Sequence, residues 1–267
     1  MYKGPVIVIV GPTGSGKTGV SIEIAKEVDG EIISADSRAI YKGMDIGTAK
    51  PSLEEREGIT HYGLDLVDPG DRFTVADFKE YAEQKICSIR ERGKVPIVCG
   101  GTGLYVDALL YNYQFNIEQK SCTKQQGETL SFAEKYPDRV KMSTDFLVFG
   151  IKWPKEELRT RLKKRLDKMF VPELFEETEK LVSTYGFGSQ AMKSDIYEYV
   201  HGYLSGEYDL DEAKKRCFYR DWHLAKRQMT WFKRNAEIKW LPLEQIKPEA
   251  IKEIKNICNI EQFCAKI

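Results

Sequence analysis

Val6-Ile7-Val8-Ile9-Val10 runs directly into Gly11-Pro12-Thr13-Gly14-Ser15-Gly16-Lys17-Thr18, and the reading of this stretch decides the fold. Five β-branched residues between Pro5 and Gly11 have the pattern of a buried parallel strand. The eight residues that follow match G-x-x-x-x-G-K-[ST], set between a strand and the start of a helix, which is the context that motif requires. Glycines let the backbone wrap an anion with its N–H groups, and the helix N-terminus adds positive potential. Gly11, Thr13, Gly14, Ser15, Gly16, Lys17 and Thr18 are therefore expected to hold a diphosphate. Lys17 supplies a mobile positive charge and Thr18 a hydroxyl for Mg²⁺. The bland alternative is a glycine turn that binds nothing, which the complete motif in its proper setting makes remote. The motif does not name its ligand, because ATP-binding and other nucleotide-binding proteins use the same loop.

Working outward, residues 18–28 read as a helix with Val20, Ile24 and Val28 on one face. Residues 31–35 read as a second strand ending at Asp36, and 64–67 as a third closed by Asp68-Pro69. An amphipathic helix is expected over 75–92, and a buried strand over 95–99 closed by Gly100-Gly101. Strands alternating with helices imply an α/β fold: a P-loop NTPase-like parallel sheet with right-handed crossovers and flanking helices. Residues 116–144 are polar and lack periodicity, and they read as a loop or small insertion. Residues 146–151 return to the sheet. A helix from residue 155 carries Leu158, Leu162 and Leu166 at a spacing of four, and two more are expected near 196–204 and 211–234. The domain reading is a core of 1–115 and 145–267, with a helical C-terminal part, interrupted by 116–144.

Composition excludes several classes. With 42% apolar and 31% charged residues, the 267-residue chain is that of a soluble protein, and no run approaches the ~18 apolar residues of a membrane span. The six cysteines form no C-x-x-C pair and none stands at zinc-ligand spacing to the three histidines, so reduced thiols in a cytoplasmic setting are expected. Formal net charge is zero. Yet residues 214–234 hold eight Lys and Arg against the single acid Asp221. That stretch is either a phosphate-backbone contact or a solvated helix face. Tyr219, Trp222, Trp231 and Phe232 among those cations are candidates to stack on bases, or core.

Nucleotide hydrolases with this loop usually end another strand in an acid that holds Mg²⁺. Here the strand over 95–99 ends in Gly100-Gly101-Thr102-Gly103, without a carboxylate. The acid is instead Asp36. In a parallel sheet the end of its strand shares a rim with the P-loop. Asp36 either acts on a group at the bound diphosphate or caps a turn, and position alone leaves both open.

These residues carry a resemblance. Ile33-Ser-Ala-Asp-Ser37, Tyr41-Lys-Gly-Met-Asp-Ile-Gly-Thr-Ala-Lys-Pro51, Asp68-Pro69, Val75-Ala-Asp-Phe78, Gly100-Gly-Thr-Gly-Leu-Tyr105 and Leu224-Ala-Lys-Arg-Gln-Met-Thr-Trp-Phe232 together resemble the tRNA dimethylallyltransferase family. The match is dense from Val6 to about Leu110 and looser from about Phe146 to Arg234. The resemblance implies that the P-loop holds dimethylallyl diphosphate rather than ATP, with Mg²⁺, and that the acceptor is an adenine beside the anticodon of a tRNA. It implies Asp36 as the base, Lys17 and Thr18 at the leaving group, and Thr102 beside the amine or in the surroundings of the leaving group. It also implies Ser37, Arg38 and Ala39, with Lys226, Arg227 and Gln228, as RNA contacts, and a monomer. Backbone amides from Thr13 to Gly16 would stabilise the departing diphosphate.

The chain departs from the family pattern in three places. A larger stem-gripping lobe is replaced by 116–144. An Arg expected near the diphosphate is Trp222, with Arg220 as a possible substitute two residues away. A Ser-Ile-Gly-Tyr string is Ser194-Asp195-Ile196-Tyr197. Rival expectations are an adenylate dimethylallyltransferase acting on free AMP, ADP or ATP, a small-molecule kinase, and a tRNA binder that has lost catalysis.

Overall fold

A computed structural model describes residues 1–115, 145–189, 191–193 and 196–264, with side chains as far as 257. The expected insertion at 116–144 and the positions 194 and 195 lie outside the described residues. The strands are β1 (Val6–Val10), β2 (Gly30–Ser34), β3 (His61–Tyr62), β4 (Val95–Gly100), β5 (Phe146–Ile151) and β6 (Lys239–Leu241). They form a sheet in the order β3-β2-β4-β1-β5-β6, every pairing parallel. The helices are α1 (Lys17–Val28), α2 (Val75–Glu91), α3 (Gly103–Leu110), α4 (Lys155–Met169), α5 (Pro172–Tyr185), α6 (Ile196–Leu204), α7 (Leu210–Phe232) and α8 (Leu243–Cys264).

The two-residue period of a strand divides β1 between two cores. Val6, Val8 and Val10 pack under α2 and α3 with Phe78, Ile89 and Tyr105, while Ile7 and Ile9 pack under α1 and α8 with Ile24, Ile246 and Ala250. The run lacks alternation because both faces are covered, as the sequence reading requires. A third core joins α4 to α7. The Leu158, Leu162, Leu166 stripe meets Tyr197, Phe218 and Ala225 there, and Trp222 packs against its edge. Leu162 and Tyr197 have no exposed surface.

Two expectations are corrected. The third strand is His61–Tyr62, not 64–67. Gly63 takes a left-handed φ of 80°, and a side chain there would run into the Ser34 carbonyl, so the chain turns off the sheet. The following residues pair with another loop instead: the Leu66 amide donates to the Ile40 carbonyl at 2.7 Å and the Lys42 amide to the Val67 carbonyl at 2.9 Å. The chain beyond 234, where no element was foreseen, supplies an edge strand and α8. Ile246, Ala250 and Ile254, four apart, cover the α1 side of the sheet.

β1 leads through α1 to β2, which lies beyond β4, whereas β5 lies on the other side of β1. The strand order reverses there, and a crevice opens at the carboxyl ends of β1, β2 and β4.

Candidate active site

The P-loop fills the β1–α1 turn. Gly14 (φ 74°) and Gly16 (φ 93°) occupy left-handed conformations that only glycine adopts cheaply. Its outward carbonyls are bonded from behind: the Arg161 Nε donates to the Gly14 carbonyl at 3.0 Å and the Trp153 Nε1 to that of Ser15 at 2.9 Å. The Arg161 guanidinium also lies 4.4 Å over the Trp153 ring. The first-turn amides of α1, at Lys17 and Thr18, have no intrahelical acceptor by helix geometry, and both residues line the second of two clefts there. Two of the four amides expected to face an anion do not. The Ser15 amide turns back to the Pro12 carbonyl at 3.2 Å, and the Thr13 amide donates to Gln228 Oε1 at 2.7 Å. A loop this tight closes its own first turn, which a motif cannot reveal. The Ser15 side chain is fully buried, and the residue borders that second cleft.

Half-buried Lys17 bonds the Pro12 carbonyl through Nζ at 2.8 Å. Burial pushes its ammonium below the ordinary value of 10.5, against the pull of Cys99 and Asp36 and with a further push from Arg165. A cation held so, in a cleft, is a place for an anion.

Asp36 and Thr102 reach the same cleft, of about 490 Å³, which Lys17 and Thr13 also line. Asp36 follows β2 and accepts the Arg38 amide on Oδ1 at 2.8 Å, so its carboxylate both closes a turn and lines the cleft. Thr102 Oγ1 accepts the Ser37 amide at 2.9 Å and donates to Ser37 Oγ at 3.2 Å. The hydroxyl thus ties the end of β4 to the end of β2. Arg38 lines the cleft and donates to the Ala191 carbonyl at 3.3 Å. Ala39 is buried and lines the neighbouring cleft instead. Gly100 and Gly103 are packing requirements: a methyl group would overlap the Ala35 carbonyl at 100 and the Trp231 indole at 103, whereas at 101 it would displace the Gln228 amide.

The opposite wall comes from the helical half. Arg220 lines the cleft, whereas Trp222 packs into the core of that half. The rotation of ~100° per residue separates the two. Buried Asp221, the lone acid of the basic stretch, accepts from Arg165 Nη1 at 2.9 Å and from Arg220 Nη1 at 3.1 Å. It fixes two guanidiniums across from the P-loop. Arg227 and Gln228 line the cleft, while Lys226 lies on an outer groove that shares Arg220, Arg227 and Trp231 with it. Gln228, expected as an RNA contact, is also a brace: beyond its bond to Thr13, its Nε2 donates to the Gly101 carbonyl at 3.1 Å. Of the aromatic group, Phe232 is buried, Tyr219 is 47% exposed, and Trp231 lines the cleft with its Nε1 bonded to Asp107 at 2.9 Å.

Arg161, Arg165 and the Asp221 clamp escaped the sequence reading. Their signal was a cationic face, Arg161, Lys164, Arg165 and Lys168, on the side of α4 away from its leucines; all four line the second cleft. The 41–51 loop, distinctive in sequence, is held by charged side chains, of which Lys50 is buried. Glu177 accepts the Ile46 and Gly47 amides and the Tyr197 hydroxyl, and Lys50 bonds Asp45 and Asp65 at 2.6 Å each.

Among the described residues no group of three His, Cys, Asp or Glu could cage a metal ion. The donor set, Thr18 exposed beside the P-loop with Asp36 across the same cleft, fits a Mg²⁺ that draws its remaining ligands from phosphate oxygens and water. No helix among these residues is long and apolar enough to cross a membrane.

The family model described as IPP transferase matches residues 39–136 and 117–235. A tRNA dimethylallyltransferase of Acetivibrio thermocellus is 38% identical over 302 residues, covering 94% of this chain and 96% of the relative. One from Staphylococcus epidermidis is 37% identical, covering 92% of this chain and 89% of the relative. Among solved structures, the tRNA delta(2)-isopentenylpyrophosphate transferase of Staphylococcus epidermidis superposes with a TM-score of 0.79 at 35% identity, covering 96% of this chain and 99% of that one. The full-length tRNA isopentenylpyrophosphate transferase of Bacillus halodurans gives 0.80 at 28% identity, covering 97% and 100%.

Proposed function

The chain belongs to the IPP transferase family, and we propose that it acts as a tRNA dimethylallyltransferase. It moves a dimethylallyl group from dimethylallyl diphosphate to the N6 amine of an adenine next to the anticodon, and releases diphosphate. The observation that carries this reading is one cleft in which the P-loop lysine, the Asp36 carboxylate and the Arg165–Asp221–Arg220 clamp converge.

The chemistry follows from that convergence. The N6 nitrogen attacks the first carbon of the allyl group, the carbon–oxygen bond breaks, and the diphosphate leaves with its electron pair. Charge grows on the leaving oxygens, where Lys17, Arg165, Arg220 and the α1 amides stabilise it. The adenine amine is a weak nucleophile because its lone pair is delocalised. Asp36 accepts its proton, a contribution of about 10²–10⁴-fold for a well-placed base. Thr102 holds Ser37, and with it the Asp36 turn, in register. Mg²⁺, held at Thr18, would supply further charge neutralisation on the diphosphate. The target base must leave its stack to reach this depth. The relatives' extra aligned residues, and a family match whose two pieces overlap over residues 117–136, support a shortened accessory lobe. We assign the protein to the cytoplasm as a monomer.

The test is one incubation with Mg²⁺ and dimethylallyl diphosphate, offering unmodified tRNA and AMP separately, followed by nucleoside digestion and mass spectrometry. Prenylated adenosine from tRNA alone is expected. Product from AMP alone transfers the protein to free-nucleotide chemistry, and no product from either removes the catalytic reading.

A further inference from the structure

The two clefts beside the P-loop join, because Thr13, Lys17, Asp36, Thr48, Arg165 and Met169 line both. The second is the larger, at about 1120 Å³ against about 490 Å³. Beside the P-loop and the α4 cations, its lining includes the apolar side chains of Ile32, Ala39, Ile46, Leu53, Leu64 and Met169. Of the acids in the same lining, Asp45 and Asp65 are held by Lys50 at 2.6 Å each. Leu53 stands at the rim, 81% exposed. Its turn is braced. The Ser52 amide donates to the Glu55 carboxylate at 2.9 Å, the Glu55 amide to the Ser52 hydroxyl at 3.1 Å, and the Arg56 Nε to the Pro51 carbonyl at 3.0 Å. A single exposed leucine is ordinary on a protein surface. This one is held over a cleft that it shares with other apolar side chains and with the P-loop.

We propose that the second cleft admits a longer donor, so that the chain also transfers a ten-carbon allylic group, geranyl, from its diphosphate. The proposal rests on the transferase reading and adds a second donor to it. Displacement requires the attacking nitrogen, the first allylic carbon and the leaving oxygen to lie in line, so the rest of the hydrocarbon must leave that axis sideways. The adenine occupies the first cleft and the P-loop holds the diphosphate. The second cleft shares Lys17 and Asp36 with the first, and it is the space left for the tail. A dimethylallyl group ends within a few bonds of the reacting carbon. A second isoprene unit extends it towards the outer apolar residues, with Leu53 last. The α4 cations suit the diphosphate, and the apolar side chains suit a hydrocarbon that makes no hydrogen bonds. The chemical step is unchanged. The bond from N6 to carbon forms, the carbon–oxygen bond breaks with its electron pair on the diphosphate, and the N6 proton passes to Asp36.

The experiment incubates the full chain with Mg²⁺ and unmodified tRNA, offering dimethylallyl diphosphate or geranyl diphosphate, and weighs the digested nucleosides by mass spectrometry. Both prenylated adenosines are expected, with kcat/KM for the two donors within about tenfold of each other, the scale set by a few methylenes in an apolar pocket. Adenosine carrying the dimethylallyl group alone overturns the proposal, even where geranyl diphosphate binds as an inhibitor. Leu53→Asn changes an exposed side chain without adding charge near the diphosphate. It is expected to lower kcat/KM for geranyl diphosphate about tenfold, chiefly through KM, and to leave dimethylallyl kinetics within about twofold. An equal effect on both donors, or none on either, removes Leu53 and the rim from the tail's path and overturns the proposal. Isothermal titration with inorganic diphosphate, dimethylallyl diphosphate and geranyl diphosphate gives a readout independent of turnover. Geranyl diphosphate should bind about tenfold more tightly than dimethylallyl diphosphate, and Leu53→Asn should remove that gain. Equal affinities for the two donors in the unaltered chain count against the cleft. Absence of product from both donors would refute the transferase reading instead, while the titration still reports on the cleft.

Discussion

Replacing Gln228 by alanine tests whether the two halves of the site are coupled as the geometry indicates. Its side chain links the P-loop to the Gly101 loop, accepting from the Thr13 amide at 2.7 Å and donating to the Gly101 carbonyl at 3.1 Å. Both bonds are part-buried, and each is worth about 0.5–1.5 kcal/mol net, so the variant loses about 1–3 kcal/mol of loop positioning. At 1.4 kcal/mol per tenfold, kcat/KM for dimethylallyl diphosphate should fall about 10- to 100-fold. The melting temperature should fall by only a few degrees in a chain of this size. Gln228→Glu keeps an acceptor for Thr13, loses the donor to Gly101 and brings negative charge to the leaving group, so it should be worse than alanine in diphosphate affinity. Isothermal titration with dimethylallyl diphosphate and steady-state kinetics at fixed tRNA measure both. Alanine kinetics within twofold of the unaltered protein, or glutamate binding diphosphate as well as glutamine does, would refute the coupling and leave Gln228 as an RNA contact only.

Asp36→Ala should abolish transfer while diphosphate still binds; near-normal turnover in a quenched time course would remove Asp36 as the base. Lys17→Met should weaken diphosphate binding and turnover together. Because burial holds the Lys17 pKa below 10.5, the unfolded chain binds that proton more tightly, and the unliganded protein gains stability as pH rises through this window. The methionine variant should therefore melt higher than the unaltered protein at pH 7, and the difference should shrink towards pH 10.5; an equal gap at both pH values contradicts the burial argument. Asp221→Ala leaves two guanidiniums facing each other without their shared carboxylate. It should cost about 2–3 kcal/mol by chemical denaturation, less than the ~3–5 of a fully enclosed pair because both arginines are partly exposed.

Much of the fold could be read because it depends on patterns short enough to fit one element. The β1 run with its glycine loop fixed a parallel sheet, and Leu158, Leu162 and Leu166 fixed the inward face of α4. The misplaced third strand shows the limit. Residues 64–67 have strand composition, but Gly63 at positive φ sends them to a partner loop, and backbone direction is not written in apolarity. The C-terminal strand and helix were missed because Pro248 and a mixed polar sequence hide a stripe that has meaning only beside α1.

The candidate site divides in the same way. The sequence alone determined the loop that wraps an anion, the lysine within it and the acid on the same sheet rim, because consecutive residues and strand ends set those positions. Only the tertiary structure decided what completes them. Asp221 reads as one acid in a basic helix until α4 brings Arg165 to it from 56 positions away. Gln228 reads as an RNA contact until its amide is found closing the P-loop from 215 positions away. Neither contact leaves a periodic trace, since each joins side chains from elements that meet only after their apolar faces have packed.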